Sequence, residues 1–412
     1  MIVSHLDNVV AGPISRPERT GSIDVLRGFA LLGVVLANLI SFVTFVMPES
    51  VVTRATSGGM NHTYHWLFVT FIDNKFITLF SLLFGYGFGV ITERLRAKAK
   101  SPRRFYLRRM LILLLAGFIH VFFWWGEILH TYALCGLVMI LFINASDKTL
   151  LGWAAFFMLA APLVVRYFMI TTKAFDPALS EPVYSRYLET ALRTDLLSVL
   201  QANWDLHHYV YITCLAEWTD LFQALSKFLI GYWILRKQFL IDVSIHQDTI
   251  RKCLAVCSVI AVAYALETSW MYYTHPSITH LALRFLLYDF NRIGVLSMSI
   301  TYGCLLVLWF HNQPASIILN GFRSVGMMSL SNYLMHTVLY IVLLHGIGFG
   351  LMDKLTAIDS LWIGLSIYFA QVLVSKQWLR QYRFGPAEWI WRQLSYAQRI
   401  PIRVNNRQST LP

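Results

Sequence analysis

The chain has 412 residues, of which 57% are apolar and only 14% charged, and its mean hydropathy is +0.55. Soluble domains run at about 45–50% apolar and about 25% charged, so this composition excludes a water-soluble globule and a disordered chain. The net charge of +12 does not mark a nucleic-acid binder, because Lys and Arg concentrate in the loops that flank apolar runs.

A helix needs about 20 mainly apolar residues to cross the hydrocarbon core. Apolar runs predict ten spans, at 25–47, 66–91, 110–126, 128–143, 149–170, 212–235, 253–273, 292–311, 325–348 and 359–376. The first run has no small-residue cleavage site close behind it, which predicts an uncleaved span. Residues 93–109 hold eight Lys/Arg and one acid, and the tail from Lys376 holds seven and one. By the positive-inside rule both face the cytoplasm. The fold expected is therefore an all-α polytopic integral membrane helical bundle of about ten transmembrane helices, with both termini cytoplasmic. Its parts are a cytoplasmic N-terminal segment (1–22), a five-helix membrane half (23–170) and an outer-side loop with an amphipathic segment (171–211). A second five-helix half (212–376) and a basic tail with an interfacial helix (377–412) follow.

Ionisable groups at membrane depth are costly and usually face the bundle interior, so they carry the functional information. Asp24 and Arg27 share a face of the first helix near its inner end, placed to anchor that end or to hold an anionic group. Asn38 lies eleven residues beyond Arg27, His120 eleven beyond Arg109 and His336 eleven beyond Val325. At the helical rise each is about 16 Å deeper, so the three are expected at one level. Asn332 and Tyr333, one turn from His336, extend that network. Past His120 the chain reads HVFFWWGEILHTYAL, in which Glu127 and His130 cap a tight turn and Trp124 and Trp125 are expected at the interface. A carboxylate beside an imidazole is what proton transfer requires, although a polar hairpin tip would look the same. Asp73 and Lys75 are two residues apart and point to different faces, so each needs its own partner or an aqueous cavity. His62 and His65 are spaced to share a helix face, but no third ligand is evident and no metal site is assigned. His207 and His208 read as interfacial.

The stretches SIDVLRGFALLGVVLAN, KFITLFSLLFGYGFG, RRMLILLLAGFIHVFFWWGEILHTYALCG, SLSNYLMHT and WLRQYRFGPAEWIWRQLSY occur in this order. Together they resemble the YeiB-like family of bacterial inner-membrane proteins over residues 20–398. The opening Asp24-Val25-Leu26-Arg27-Gly28 looks like that of the wider transmembrane acyltransferase superfamily. That resemblance implies an acyl donor, with acyl-CoA the candidate, and a sugar or other polar acceptor. It implies catalytic roles for His120, Glu127 and Asn38, or for His62 or His65, which lie in the region of the active His of the N-acetyltransferase branch. Asp24, Arg27, Asp73, Lys75, His130, Asn332, Tyr333 and His336 are the substrate-binding candidates. The family carries Asp where this chain has Glu127 and Gln where it has His336. A small-solute or proton-coupled transporter built on Asp73, Lys75 and the histidines is the alternative, and a non-catalytic membrane scaffold is a third. Membrane lipid is the one partner implied throughout.

Overall fold

The computed structural model describes residues 21–98, 100–172, 177–213, 216–276, 278 and 280–404. The expected N-terminal segment lies almost entirely outside the described residues, as does the end of the tail. Helix α1 (Gly21–Thr44) is followed by the short α2 (Glu49–Thr56) and α3 (Gly59–Leu67). A π-helical turn, Phe68–Ile72, then leads into α4 (Lys75–Ala97). Next come α5 (Pro102–Val121), α6 (Leu129–Met139), α7 (Asp147–Ala155) and α8 (Ala161–Thr172), the last two joined through a π-helical turn. Helices α9 (Pro177–Ala191) and α10 (Leu196–His207) precede α11 (Ala216–Arg236), α12 (Val243–Thr274) and α13 (Leu281–Asn312). The chain closes with α14 (Ile317–Met327), α15 (Ser329–Leu344), α16 (Ala357–Gln381) and α17 (Pro386–Tyr396). Starts are set locally. Pro102 opens α5, Asp195 accepts the Ser198 N–H at 2.8 Å, and Thr356 with Asp359 forms a capping box on α16.

Among the described residues, six helices are long and apolar enough to cross a membrane, or up to seven if a bent pair counts as one span. Lipid is needed to cover them. The most apolar window of α12 is only 17% buried, and Val256, Val259, Val262 and Leu266 stand exposed along it. The remaining expected spans are helical but do not meet that test. Helix α5 starts among arginines, the α6 region Leu129–Phe142 is short, and α11 carries Asp220, Lys227 and Arg236.

Two expected spans are interrupted. The run 325–348 is not one helix, because α14 and α15 meet at Met328 with a bend of 83°. Counting from Val325 to His336 therefore does not measure depth. The run 66–91 breaks at Asp73 and Asn74, where Asn74 takes a left-handed φ of 62°. Asp73 and Lys75 thus sit on either side of a break, not on two faces of one helix.

One end of the bundle is basic. Asp147 at the start of α7 pairs there with Arg236 (3.2 Å) and Lys237 (2.9 Å), and Trp391 of α17 donates to the Arg109 carbonyl (3.3 Å). Across the opposite end lie α9 and α10. Trp124 and Trp125, expected at the interface, are instead buried beneath them, with the Trp125 N–H bonded to Asn203 (3.1 Å).

Small residues let the helix backbones touch. A Cβ on Gly28 would overlap the Phe322 carbonyl oxygen of α14, and one on Gly326 would overlap the Asp24 carbonyl oxygen. Gly85 of α4 and Gly231 of α11 meet the backbones of Phe228 and Leu82 in the same reciprocal way. Gly152, by contrast, has open space around it. Gly85→Val is therefore expected to destabilise the protein by about 1–3 kcal/mol or to prevent monodisperse purification. Gly152→Ala should be neutral or slightly stabilising by about 0.5–1 kcal/mol. Thermal unfolding in one detergent compares the two, and a G85V protein as stable as the parent contradicts the packing described.

Candidate functional site

The turn between α5 and α6 folds around one carboxylate. Glu127 is fully buried, and its oxygens accept the backbone N–H groups of Leu129 and His130 (3.0 Å for the latter). These are the first amides of α6, groups without an intrahelical partner, so the side chain closes the helix start. The same carboxylate takes the His130 Nδ1 at 2.7 Å and lies 3.5 Å from the His120 Nδ1. No Lys or Arg pairs with it among the described residues.

Each imidazole then meets a hydroxyl with its other nitrogen. His120 Nε2 is 2.8 Å from the Thr337 Oγ1, and His130 Nε2 is 3.4 Å from the Thr131 Oγ1. With the carboxylate on Nδ1, the proton belongs on Nδ1 and the lone pair on Nε2. The carboxylate–imidazole–hydroxyl arrangement is hydrogen-bonded through His130; His120 Nδ1 faces the same carboxylate at 3.5 Å with no hydrogen-bond partner among the described residues. Behind His130 stands His207, ring centroids 5.1 Å apart, whose Nδ1 donates to the Trp125 carbonyl at 2.7 Å. His207 was expected at the interface and is buried instead, because α10 folds down onto the turn.

A cavity of about 240 Å³ runs from the basic end to the residues that pack beside this cluster; His120, Glu127 and His130 themselves do not line it. Arg27, Arg109, Trp391, Arg392 and Tyr396 line one end of it. Its middle is apolar, built by Leu31, Val34, Phe80, Phe84, Met110 and Leu113. At the far end it is lined by Ile128, Leu129, Tyr132 and Tyr333, next to Glu127 in sequence and against His120 in space, the rings of His120 and Tyr333 being 5.4 Å apart. The distance along α5 from Arg109 to His120 is about 16 Å at the helical rise. Tyr333 has a buried hydroxyl with no hydrogen-bond partner among the described residues. At the basic end Arg27 lies 3.5 Å from Asp24, and the Arg109 guanidinium stacks on Trp391 at 3.5 Å.

The expected site residues divide into three groups. Glu127, His120, His130 and Tyr333 come together, and Asp24 and Arg27 line the same cavity as Tyr333. Asn332 and His336 do not. They face α16, where Asn332 donates to Ser375 (3.1 Å) and His336 bonds Gln371 (3.0 Å), while Asn332 also holds the Val325 carbonyl across the bend (3.2 Å). Asn38 lies against Tyr340, on the α1 side of α15. The last group stands elsewhere. His62 and His65 do share a face of α3, and both rings pack on Tyr272 of α12. Lys75 is buried with its ammonium on Tyr264 (2.8 Å) and the Val69 carbonyl (2.7 Å), and Asp73 accepts from Asn74 (2.9 Å). No group of three or more potential metal ligands occurs among the described residues.

Three contributors are not evident from sequence. Thr337 and Trp391 are ordinary residues in apolar runs. Glu388 reads as part of a surface helix, yet its carboxylate accepts the N–H groups of Leu330 (2.6 Å) and Ser331 (3.2 Å) and the Ser331 hydroxyl. It therefore caps α15 from a different helix, and the FGPAEW run exists to place it. A Cβ on Gly385 would overlap that carboxylate, and Pro386 opens α17.

Apolar helices with exposed apolar flanks, packed around an internal cavity and a buried carboxylate–imidazole cluster beside it, define a helical membrane protein. The chain belongs to the YeiB-like family. It is 30% identical over 412 residues to the uncharacterized protein YxaH of Bacillus subtilis (strain 168), covering 95% of this chain and 97% of that one. The uncharacterized protein YeiB of Escherichia coli (strain K12) is 28% identical over 396 residues, covering 92% and 96%. An uncharacterized 39.9 kDa protein in the amylase 3′ region of Bacillus acidopullulyticus is also 28% identical, over 400 residues, covering 95% and 97%. The family model described as "Protein of unknown function (DUF418)" matches residues 234–398, from the end of α11 through α17. No solved structure matches the chain.

Removing the cap tests the role given to Glu388. Glu388→Ala is expected to lower stability by about 1–2 kcal/mol, the loss typical of a helix N-cap. Thermal unfolding of the purified variant measures it, and an unchanged midpoint would show that α17 does not hold α15.

Proposed function

We propose that the protein transfers an acyl group to a polar acceptor, a sugar or another hydroxyl- or amine-bearing molecule, in the bacterial cytoplasmic membrane. The observation that carries this reading is the cavity: arginine-rich at one end, where Asp24 and Glu388 also line it, apolar along its length, and lined at the other end by Tyr333, whose ring packs on His120. An acyl donor with an anionic head, such as acyl-CoA, matches that order of chemistry. Its head sits by Arg27, Arg109 and Arg392 at the cytoplasmic end, and its chain and reactive carbonyl lie toward Tyr333. The basic loops and tail support a cytoplasmic position for that end and for both termini.

The chemistry follows from the protonation pattern. His120 Nε2 exchanges its hydrogen bond from Thr337 for one from the acceptor, and takes the acceptor's proton as the acceptor oxygen or nitrogen bonds to the acyl carbon. Tyr333, whose hydroxyl lies by the Ile128 backbone, donates it to the developing oxyanion. The carbon–sulfur bond of the thioester then breaks, and the leaving thiolate recovers the proton from the imidazolium. Glu127 keeps the ring in the required tautomer and stabilises the cation that forms between the two proton transfers. His130, on the same carboxylate, is the second basic nitrogen of the site. Asp73 and Lys75, on which a transport path would depend, stand apart from both the cavity and the His120–Glu127 cluster, with Lys75 held by Tyr264 and the Val69 carbonyl and Asp73 by Asn74.

The test uses the full chain in detergent or nanodiscs with a labelled acyl-CoA. Arg109→Gln should weaken donor binding by about tenfold, the cost of losing one charged contact. His120→Ala should leave binding unchanged and slow transfer by about 10²–10⁴-fold. If the intact protein binds no acyl donor, or if H120A transfers at the parental rate, the reading is wrong.

A further inference from the structure

A second cleft, of about 670 Å³, lies between α8, α12 and α13 and takes no part in the site above. It stands at the end of the bundle opposite the basic loops. Arg166 is near the C-terminal end of its span, Glu267 near that of α12, and Arg284 in the first turn of α13. Tyr288 forms one wall and is held between two guanidiniums, Arg166 at 4.2 Å from its ring centre and Arg292 at 3.8 Å.

The two arginines differ in what else they touch. Arg292 is buried and committed, with its Nη1 on Asp289 at 2.9 Å. Arg166 lines the cleft and makes no ion pair or hydrogen bond with a described residue, and its Nε is buried without a partner. Arg284 lines the same cleft, also without such a partner among the described residues. The acid on the wall, Glu267, is hydrogen-bonded by Thr268 at 3.4 Å and pairs with neither arginine. Counting Arg166, Arg284 and Arg292 against Glu267 and Asp289 leaves one positive charge.

Arg166, its Nε buried without a partner among the described residues, is costly beside lipid-facing helices unless an anion joins it, and the exposed Arg284 stands on the same cleft to share that anion. A guanidinium fork matches phosphate oxygens in pairs, and stacking on Tyr288 fixes the plane of one fork. The rim is apolar, with Leu283 and Leu286 exposed next to Arg284, and Val164 and Phe168 exposed next to Arg166. We propose that this cleft binds a phosphate group between Arg166 and Arg284. An anionic phospholipid of the adjacent leaflet supplies one with tails that fit the rim, and free phosphate shares the same chemistry.

Full-length protein, delipidated in detergent, is exposed to a photoactivatable phosphatidylglycerol, and labelled peptides are mapped by mass spectrometry. Inorganic phosphate binding is measured in parallel. Labelling of the α8, α12 and α13 ends that falls about tenfold in Arg284→Gln supports the lipid source. Phosphate binding lost in that variant, without lipid labelling there, supports the soluble source. Arg284 is exposed, so R284Q should fold, and the unfolding midpoint checks it. Arg166→Gln provides the second arm. Absence of both ligands from the cleft, or binding unchanged in both variants, overturns the proposal.

Discussion

The structure depends on how one buried carboxylate is satisfied. Glu127 sits among apolar helices with no cation paired to it among the described residues, and an ion there is unaffordable unless hydrogen bonds replace water. Two backbone amides of α6 and the His130 imidazole do so, with the His120 imidazole facing the carboxylate at 3.5 Å. That solution fixes three things together: the turn between α5 and α6, the start of α6, and the tautomers of His120 and His130. Everything proposed for the chemistry inherits from that geometry, because basic Nε2 atoms exist only while the carboxylate holds the Nδ1 protons.

The broken pair α14–α15 joins the rest of the molecule to this point. Helix α14 lies backbone to backbone on α1 through Gly28 and Gly326, and the bend at Met328 then turns α15 toward His120. Thr337 and Tyr333 are one turn apart on α15 and both face the imidazole, while Asn332 and His336 point the other way and bind α16. One helix thus presents a site face and a packing face. Residues that look equivalent in a polar stripe are separated by roughly 100° per residue around the axis.

This explains what was legible in the sequence. Helical class, membrane character and family were readable, since apolar run length and motif order are local properties. So was the Glu127–His130 turn, whose partners are three residues apart. A shared depth for Asn38, His120 and His336 presumes continuous helices, and the bend at Met328 removes that premise for His336. A helix break with no proline leaves no strong mark in the chain. Burial of Trp124, Trp125 and His207 was likewise hidden, because it comes from α9 and α10 folding across the end of the bundle. Glu388 was hidden for a similar reason, its partners Leu330 and Ser331 lying far upstream.

The cavity draws its walls from Asp24 near the beginning of the chain and from Tyr396 near its end. A nascent polypeptide therefore has no complete cavity until α17 has left the ribosome and docked. Until then the arginines of the first and fifth helices face an open groove, so membrane insertion of the early segments and completion of the binding site are separate events in the life of the molecule.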